Sequence, residues 1–367
     1  LFQRMEKLSE MNKKVGFLIM NFENGGGTER VTSLIANELL NRKYDVTIYS
    51  CQNGNKCRFF IDDRVHLCSL EGEKYKNPIW RKIRVTKKLI ESVKKDKIDI
   101  MIAVDVALYL YLIPLQVKHL CKCIAWEHFN YYINPNKMVK YARKFAATYA
   151  DCVVVLGKND LENYKNHYKK ISKITYIYNP IAVDINPKVD IKNKKIIAMG
   201  RLNNQKGFDL LIEAWSKLES DFKDWEVNIF GDGALKEQLQ KQIDNKNLKK
   251  IFLRGYSKDV AKDMADASIF VLTSRYEGFG LVLLEAQALG LPCVSFDCKE
   301  GPSEIIDDGV NGFLIEPLNV DLLAKKMKIL IKDECLRKKF SEKSTKDLYR
   351  FDRKQIIDRW DKLLSEL

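Results

Sequence analysis

The chain has 367 residues, of which 46% are hydrophobic and 31% are charged, and its formal net charge is +14. That balance is ordinary for a globular protein with two cores of the usual domain size. No apolar run is long enough to span a bilayer, and no signal peptide is expected before the first predicted strand. The nine cysteines include no CxxC pair, which argues against a zinc site or a disulfide framework and favours a reducing cytosol.

Short β-rich runs alternate with segments of helical spacing along the whole chain. This order, repeated twice, predicts an α/β fold with two doubly wound parallel sheets and an active site in the cleft between them. The predicted strands are 15–20, 46–50, 98–104, 123–126 and 152–156 in the first half, and 195–200, 226–230, 251–255, 268–273, 292–296 and 312–316 in the second.

The chain is expected to divide at segment 179–194, which contains prolines and shows little periodicity. Residues 1–4 resemble the remnant of a cleavable tag and are left out. We therefore predict a first domain over residues 5–182 and a second over 183–350. The last segment, 351–367, has the pattern of an amphipathic helix that belongs to the second domain or packs across the hinge.

Positive charge is concentrated in the first half of the chain. Residues 1–183 contain 31 Lys and Arg against 18 Asp and Glu, a balance of +13, and the remainder has a balance of +1. The basic half is expected to meet an anionic partner: membrane lipid, a phosphate-bearing acceptor or nucleic acid. Segment 77–97 predicts a basic amphipathic helix, which either covers the sheet or lies on an anionic membrane leaflet. Its apolar face is predicted to carry Ile79, Ile83, Ile90 and Val93.

The first candidate site is GGGTER, residues 25–30, which follows the first predicted strand and opens a helix. Glycines such as Gly26 and Gly27 let a backbone come close to a ligand, and a helix N-terminus favours negative charge. The GxGxxG fingerprint and the P-loop signature are both absent. The segment is therefore either a phosphate-binding loop or a flexible turn between strand and helix.

A second loop, GRLNNQKG at 200–207, follows the first strand of the second predicted domain. Arg201 carries a planar fork of donors and Lys206 a compact mobile charge, so the two can converge on one diphosphate. Solvated Arg and Lys side chains are common in loops, so the pattern alone leaves both interpretations open.

The third candidate is SRYEGFGLVLLEAQALGLP, residues 274–292. Its glycines, Gly278 and Gly280, are predicted to present backbone N–H groups at a helix start. Measured as helical rise, Glu277 and Glu285 are about 12 Å apart, which suits the two ends of one extended ligand. Carboxylates accept well from vicinal hydroxyls, so the spacing fits a sugar at one end and a ribose at the other. The alternative is a solvated Glu277 and a salt-bridged Glu285.

These motifs, together with KEGPSEIIDDGVNGFLI further along, resemble the retaining glycosyltransferases of family 4, which have the GT-B fold. The resemblance runs in order over nearly the whole chain, and the Arg–Lys pair combined with the two spaced glutamates is its most specific part. It implies two Rossmann-like domains facing a cleft, with the last helix crossing back onto the first domain.

The resemblance also implies roles for individual residues. Arg201 and Lys206 match the pair that holds the donor diphosphate and stabilises it as the leaving group. Glu277 matches a carboxylate that contacts the donor sugar, Glu285 one that binds the nucleotide ribose, and His128 a histidine that faces the transferred sugar. The other donor-binding positions lie in the two glycine-rich segments: Gly26, Gly27, Gly278, Phe279, Gly280, Leu281 and Val282.

Without the family match, a lone histidine such as His128 is more often structural. Its position after the predicted strand CIAW, at a carboxyl end, favours the ligand role. Glu127 beside it is a candidate orienting partner. Asp105, which ends IDIMIAVD, is a candidate acceptor contact.

The activity that the resemblance implies is transfer of a sugar from a nucleoside diphosphate, expected to be UDP, to a saccharide or lipid-linked saccharide acceptor, with retention of configuration. No Asp-x-Asp element occurs in a suitable loop, so neither a metal nor another cofactor is expected. The GPSEII element resembles bacterial enzymes that build capsule, lipopolysaccharide or other surface glycans. Together with the basic first half of the chain, this favours a cytoplasmic protein that is peripheral to the inner membrane.

Two other classes stay open on the sequence alone. A basic nucleic-acid-binding protein would explain the charge, but it leaves both glutamates and the diphosphate loop without a purpose. A nucleotide-sugar epimerase of the same fold would convert the donor without any acceptor. A transferase that lacks its acceptor would only hydrolyse the donor slowly.

Overall fold

The computed structural model describes residues 12–54, 56–133, 137–183, 185, 188–346 and 348–367. The chain forms two compact units. The first comprises Leu1–Pro180 together with Arg353–Leu367, and the second comprises Ile181–Asp352. Helices and strands are numbered below in chain order.

The first unit is built on a parallel sheet of seven strands in the order β3-β2-β1-β4-β5-β6-β7. Its central strands are buried almost throughout, as expected for a parallel sheet that is covered on both faces. The strands are β1 (Lys14–Ile19), β2 (Asp45–Ser50), β3 (His66–Ser69), β4 (Ile100–Val104), β5 (Lys122–Trp126), β6 (Cys152–Val155) and β7 (Ile174–Tyr176).

Helices connect these strands and bury one face each against the sheet. They are α1 (Gly27–Leu40), α2 (Pro78–Asp96), α3 (Tyr109–Val117), α4 (Lys137–Tyr149) and α5 (Lys158–His167), with 3-10 turns at Gly72–Lys74 and Val106–Leu108. Asn77 caps α2 by accepting from the N–H groups of Ile79 and Trp80. Buried residues of α2, α3 and α4 belong to one core cluster with side chains of the sheet.

The predicted apolar face of α2 is divided in the structure. Val93 is buried together with Val85 and Leu89, whereas Ile79 and Ile83 are 70% and 50% exposed. The C-terminal half of the helix therefore covers the sheet, and its first turns present apolar side chains to solvent.

The C-terminal helix α13 (Arg353–Ser365) belongs to the first unit, although the second unit precedes it in the chain. The ring of its Trp360 lies edge-on to Trp126 at the end of β5, with centroids 4.9 Å apart. The Tyr44 hydroxyl donates to Asp361 Oδ1 at 2.7 Å, and Lys13 Nζ donates to the carbonyl of Leu364 at 2.9 Å. These contacts fix the helix to the N-terminal strands of the first unit.

The second unit contains a parallel sheet of six strands in the order β10-β9-β8-β11-β12-β13. Its strands are β8 (Lys195–Met199), β9 (Glu226–Phe230), β10 (Ile251–Gly255), β11 (Ile269–Leu272), β12 (Cys293–Phe296) and β13 (Gly312–Ile315). Its helices are α6 (Phe208–Ser216), α7 (Lys236–Asn245), α8 (Val260–Ala265), α9 (Leu281–Ala288), α10 (Pro302–Ile305), α11 (Val320–Lys332) and α12 (Glu334–Ser344), with 3-10 turns at Asn204–Lys206 and Leu348–Phe351.

All eleven predicted strands are present, each with bounds within two residues of the prediction. Two further strands, β3 and β7, were not predicted. They form the two edges of the seven-stranded sheet, and their residues are exposed or only half-buried. A short edge strand has a neighbour on one side only, so it lacks the continuous apolar run that identifies a central parallel strand.

Each unit carries a doubly wound parallel sheet of the Rossmann type, as the sequence predicted. Within the described part of the chain, no helix is both long enough and apolar enough to cross a membrane.

Candidate active site

In the second unit, the loop from Gly200 to Gly207 is shaped by its two glycines. A Cβ on Gly200 would lie 3.0 Å from Cδ and Cε of Lys206, so the bare backbone leaves room for the lysine stem. Gly207 has φ +62°, and a Cβ there would approach the carbonyl oxygen of Thr273 to 2.1 Å. The loop can therefore close against the segment after β11 only with glycine at that position.

This closure brings Lys206 and Glu277 together. Lys206 Nζ lies 2.7 Å from Glu277 Oε1, and the side chains are only 14% and 7% exposed. The Ser274 hydroxyl donates to the same Glu277 oxygen at 2.6 Å, and the Thr273 hydroxyl donates to the Lys206 carbonyl at 3.0 Å. The sequence predicted both residues as donor-binding groups but did not predict that they pair with each other.

Arg201 lies on the same loop but is exposed. Within the described ranges, its guanidinium makes no hydrogen bond and no ion pair. The loop thus contains one cation that is held by a carboxylate, Lys206, and one that is free to meet an anion.

Arg275 connects the two loops, and the sequence analysis missed it. Its guanidinium binds both carboxylate oxygens of Asp209 at 2.9 and 2.7 Å and also donates to the carbonyl of Asn204. Its backbone N–H donates to the carbonyl of Gln205 at 2.7 Å. A bidentate pair of this kind fixes geometry as well as adding energy. In the sequence, Arg275 could have been identified by its position two residues before Glu277 and by an acidic residue, Asp209, just after the Lys206 loop.

A second missed element is the turn after β9, where Gly231 and Gly233 pack against the loop after β8. A Cβ on Gly231 would lie 1.8 Å from the carbonyl oxygen of Gly200, and one on Gly233 would lie 2.5 Å from that of Leu202. Leu202 N–H donates to the carbonyl of Asp232 at 2.9 Å. The two loops therefore touch through their backbones. The signal was the pair of glycines directly after a predicted strand.

Helix α9 begins at Leu281 and not at Glu277. Gly280 caps it with φ +90° and ψ 51°, a left-handed conformation that suits glycine. The predicted separation of about 12 Å between Glu277 and Glu285 assumed one continuous helix, so it does not apply. The first turn of α9, with Leu281 and Val282, carries backbone N–H groups that lack intrahelical acceptors, as at every helix N-terminus, and such groups suit an anion.

Two side chains of this segment are buried. The ring of Phe279 is 3% exposed and lies edge-on to Phe351, with centroids 5.8 Å apart. Phe279 can therefore offer a ligand only its backbone. Glu285, on α9, is 3% exposed.

In the first unit, GGGTER forms the start of α1, as predicted. Gly26 caps the helix, and its N–H donates to Glu29 Oε2 at 3.1 Å. A Cβ on Gly26 would lie 2.7 Å from that same oxygen. Glu29 therefore occupies one of the backbone donors that the sequence analysis offered to a phosphate. The N–H of Gly27, the first helical residue, has no intrahelical partner.

His128 follows β5 and is 9% exposed. Its ring lies against the indole of Trp126, with centroids 4.2 Å apart, and its Nε2 is buried without a hydrogen-bond partner in the described chain. Burial lowers the pKa of His128 to about 3, so the imidazole is neutral near pH 7. A buried, unpaired ring nitrogen is uncommon, because buried polar groups normally have a protein, water or ligand partner.

Glu127 does not orient His128, contrary to the prediction. Its carboxylate lies 2.6 Å from Arg143 Nε and accepts from the Tyr164 hydroxyl at 2.8 Å and from the Phe129 N–H at 3.1 Å. Arg143 also donates to three carbonyls of the following loop, those of Asn130, Tyr131 and Ile133. This buried network holds the loop that carries His128, and Arg143 was missed because it lies in the middle of α4.

Asp105 directly follows β4 and has an unusual backbone conformation, with φ +100° and ψ 126°. Its Oδ1 accepts from the N–H of Ala107 at 2.9 Å. Desolvation and the nearby Glu127 carboxylate raise the pKa of Asp105 to about 6. Strained polar residues at strand ends cluster at functional sites, which supports Asp105 as a site residue.

The site in the second unit offers cations, a helix N-terminus and buried carboxylates, a combination suited to phosphates and hydroxyls. Among the residues that the structure describes, no group of three or more His, Cys, Asp or Glu side chains is arranged to hold a metal ion.

Comparisons with known families cover almost the whole chain. A model described as glycosyltransferase family 4 matches residues 25–185, and one described as glycosyl transferases group 1 matches residues 184–347. The boundary between the two matches falls next to the boundary between the two compact units at Pro180.

Several relatives match along their full length. An uncharacterized glycosyltransferase of Haemophilus influenzae is 34% identical over 364 residues, which are 96% of this chain and 100% of the relative. The amylovoran biosynthesis glycosyltransferase AmsD of Erwinia amylovora is 27% identical over 96% of this chain and 99% of its own. A Campylobacter jejuni N-acetyl-D-galactosaminyltransferase, named for a PP-undecaprenol-linked saccharide, is 25% identical over 96% and 99%.

Solved structures show that the chain has the GT-B fold. TarM of S. aureus, in a complex that contains UDP, superposes with a TM-score of 0.83 at 18% identity and covers 96% of this chain and 99% of its own. Anabaena Alr3699/HepE with UDP and glucose gives a TM-score of 0.82 at 20% identity, covering 97% and 100%. With family matches in both halves, a full-length relative and this architecture, the chain belongs to the family 4 glycosyltransferases.

Proposed function

We propose that this glycosyltransferase moves a sugar from a UDP-sugar to a lipid-linked saccharide acceptor, with retention of configuration and without a metal ion, in the synthesis of a bacterial surface glycan. The observation that carries the proposal is the arrangement in the second unit. Lys206 and Glu277, whose side chains are largely buried, lie 2.7 Å apart and next in sequence to the first turn of α9. Arg201, which has no side-chain partner among the described residues, lies on the lysine's own loop.

In this proposal the donor diphosphate is held by Arg201, Lys206 and backbone N–H groups from Gly278 to Val282. The bond between C1 of the sugar and the β-phosphate oxygen breaks as UDP leaves, and negative charge grows on that oxygen. Preorganised cations and helix N–H groups stabilise developing charge without reorganising. This supplies what a bound cation supplies in metal-dependent enzymes.

Glu277 acts in this scheme on the donor sugar and holds Lys206 in place. Its Oε1 accepts from both Lys206 and Ser274, while carboxylates have further acceptor positions for sugar hydroxyls. Glu285 binds the ribose hydroxyls. The acceptor oxygen forms the new bond to C1 on the face that UDP leaves, and its proton passes to the departing phosphate oxygen.

In the first unit we assign the sugar-facing role to His128 and an acceptor role to Asp105. The neutral imidazole has a buried Nε2 without a partner in the described chain. It can therefore form a hydrogen bond with a sugar hydroxyl without breaking one inside the protein. Gly26 and Gly27 approach the diphosphate through their backbone.

The choice of donor and acceptor draws on the relatives. Structures of similar fold contain UDP, and one relative of full length is named for a PP-undecaprenol-linked saccharide. The basic first half of the chain suits an acceptor at an anionic membrane surface, so we place the protein peripherally on the cytoplasmic face of the inner membrane.

A panel of UDP- and GDP-sugars tests the donor. Calorimetric binding and slow hydrolysis, both measured with and without EDTA, are expected for a UDP-sugar and are expected to be insensitive to the chelator. Transfer to a lipid-linked saccharide followed by NMR is expected to give a product with the anomeric configuration of the donor. An inverted product, or activity that EDTA abolishes and a divalent cation restores, would contradict the proposal.

A further inference from the structure

A line of large apolar side chains lies exposed along helix α4. The exposed fractions are 54% for Met138, 59% for Tyr141, 40% for Phe145 and 57% for Tyr149. Steps of three and four residues place these side chains on one side of the helix. The rings of Phe145 and Tyr149 stack, with centroids 6.0 Å apart. This apolar stripe is separate from the face of α4 that packs on the sheet, which comprises Val139, Ala142, Arg143, Ala146 and Ala147.

A row of lysines runs beside the apolar stripe. Lys137, Lys140 and Lys144 are exposed, and in the described part of the chain none of their ammonium groups has a hydrogen-bond or ion-pair partner. Like charges four residues apart, as in Lys140 and Lys144, disfavour a helix. Other lysines of the unit do form ion pairs, for example Lys122–Asp151, Lys165–Glu162 and Lys173–Glu366.

The same combination recurs at the start of α2. Ile79, Trp80 and Ile83 are 70%, 57% and 50% exposed, and Arg84 beside them is exposed. Helix α3 packs against both α2 and α4, and the three helices contribute to one core on the same face of the sheet. Exposed apolar side chains with flanking cations therefore appear twice on one face of the first unit.

The charge decides which partner covers the apolar stripe. A second copy of the chain docked through α4 would bring its own lysine row to the contact, where the described α4 surface offers no exposed acidic side chain to meet it. The lysine row needs negative charge and the apolar stripe needs an apolar environment. An anionic bilayer supplies both, because its headgroups carry phosphates and the apolar layer lies just beneath them. Tyrosine rings suit that boundary, and lysine stems can extend to the headgroups.

We propose that α4, together with the first turns of α2, is the surface through which this protein docks on an anionic membrane. Met138, Tyr141, Phe145 and Tyr149 enter the boundary between headgroups and acyl chains, and the lysine row contacts lipid phosphates. The inference rests on the proposed function in one respect. The proposed acceptor is linked to a membrane lipid, and this surface is where the enzyme contacts the membrane that holds it.

Vesicle flotation of the full chain tests the proposal without donor or acceptor. We expect binding to phosphatidylglycerol-containing vesicles at least tenfold stronger than to phosphatidylcholine vesicles, and weaker binding in 0.5 M salt. A variant with Lys137→Glu, Lys140→Glu and Lys144→Glu, and one with Met138→Gln, Tyr141→Gln and Phe145→Gln, should each bind at least tenfold more weakly.

The matched control makes the same charge change elsewhere. Lys338, Lys339 and Lys343 on α12 are also exposed, and a variant with Lys338→Glu, Lys339→Glu and Lys343→Glu should keep vesicle binding. Equal losses in the two lysine variants would overturn the proposal, because attraction would then depend on net charge alone. A wild-type chain that does not bind anionic vesicles would overturn it as well.

Trp80 reports on α2 directly. It is 57% exposed, whereas Trp126, Trp215, Trp225 and Trp360 are each at most 4% exposed. Anionic vesicles should therefore shift the tryptophan emission to shorter wavelength, and Trp80→Phe should remove the shift. An unchanged emission from the vesicle-bound protein would overturn the part of the proposal that involves α2.

Transfer to a water-soluble saccharide acceptor separates this inference from the proposed function. The α4 variants should keep that activity within twofold, since none of the changed residues lies in the proposed site. An active enzyme that ignores vesicles overturns the docking surface and leaves the function intact. A dimer that dissociates in the α4 variants, without vesicle binding, would assign the stripe to a second copy and overturn the proposal.

Discussion

The two units share the doubly wound topology. They differ in whether the polar side chains of the candidate site already have hydrogen-bond or ion-pair partners. In the second unit four residues of the candidate site are already paired, Lys206 with Glu277 and Arg275 with Asp209, while Arg201 has no partner in the described chain. In the first unit, His128 Nε2 has no partner in the described chain and Asp105 is held in a strained conformation.

The difference teaches that the loops after the strands, not the sheets, decide the chemistry. Glycines at positions 200, 207, 231 and 233 let the loops of the second unit meet backbone to backbone, so close packing holds these loops against one another. The corresponding segments of the first unit are instead held by the buried Glu127–Arg143 pair. We expect the second unit to bind the donor and the first to act on the sugar and the acceptor.

The largest effect is expected from Lys206. Lys206→Ala should lower kcat about 10²- to 10³-fold, the usual cost of removing one group that stabilises developing charge. Lys236→Ala, an exposed lysine on α7, is the matched control and should keep full activity. Steady-state kinetics with the donor from the panel provide the measurement.

Removal of Lys206 also leaves Glu277 buried without its cation, which costs about 3–5 kcal/mol in typical buried pairs. The double variant Lys206→Ala, Glu277→Gln should recover thermal stability but not turnover. If turnover returned together with stability, Lys206 would be a structural residue only.

Much of the fold could be predicted from the sequence because central parallel strands are continuous apolar runs. Nine of the eleven predicted strands are central, and the other two, β10 and β13, are the edges of the second sheet. The edge strands β3 and β7 could not be predicted, since partial burial removes that pattern. The candidate residues on α9 and on the Lys206 loop were identified by motif, yet the 2.7 Å contact between Lys206 and Glu277 was not, because it depends on Gly207 closing one loop on another.

Contacts across the sequence explain the remaining errors. Glu127 was predicted to orient its neighbour His128, but its partners Arg143 and Tyr164 come from two later helices. Residues that lie far apart in sequence and meet only in the packed fold leave no local pattern. Arg275 was overlooked for the same reason, since its meaning depends on Asp209 across the loop.

The second largest effect concerns stability and Asp105. Its pKa is about 6 in the folded chain, above the ordinary value of 3.8, so folding favours the protonated form. Ionisation therefore costs stability progressively as the pH rises from 4 to 6 and fully above 6, by up to about 3 kcal/mol at 1.36 kcal/mol per pH unit. Asp105→Asn should be more stable than wild type at pH 7 and equal to it near pH 3.5, by denaturant unfolding.

A half-buried surface aspartate, Asp62, supplies the control with opposite sign. Arg64 lowers the pKa of Asp62 to about 2, so this ion pair stabilises the fold above pH 4 and loses its effect as the pH falls through 2. Asp62→Asn should therefore be the less stable protein at pH 7. A gain for Asp105→Asn that does not vary with pH would contradict the assignment.

The third effect is on donor affinity. Glu285→Gln should weaken UDP binding about 30-fold, or about 2 kcal/mol, the range for a hydrogen bond to a charged group. Glu316→Gln, at an exposed position in the same unit, should bind UDP as the wild type does. Calorimetry measures the UDP affinity of both variants. Equal affinities would show that Glu285 does not bind the nucleotide.

The smallest effect is expected from His128. It distinguishes the role of the first unit in turnover from the role of the second unit in UDP binding. His128→Gln should lower kcat about tenfold, about 1.4 kcal/mol, while UDP affinity stays within twofold. Its pKa of about 3 means that the rate should show no inflection from this group between pH 5 and 8. The exposed His167→Gln serves as control, and a matching loss of UDP affinity in His128→Gln would place the histidine in the nucleotide site instead.

Hydrogen exchange in the presence of saturating UDP tests the central claim most directly, because it reports on the backbone of both units at once. The account predicts protection of the amides of residues 200–207 and of the first turn of α9 in the second unit. Protection that avoids both segments, with UDP bound, would show that the nucleotide is held elsewhere and would contradict the site described above.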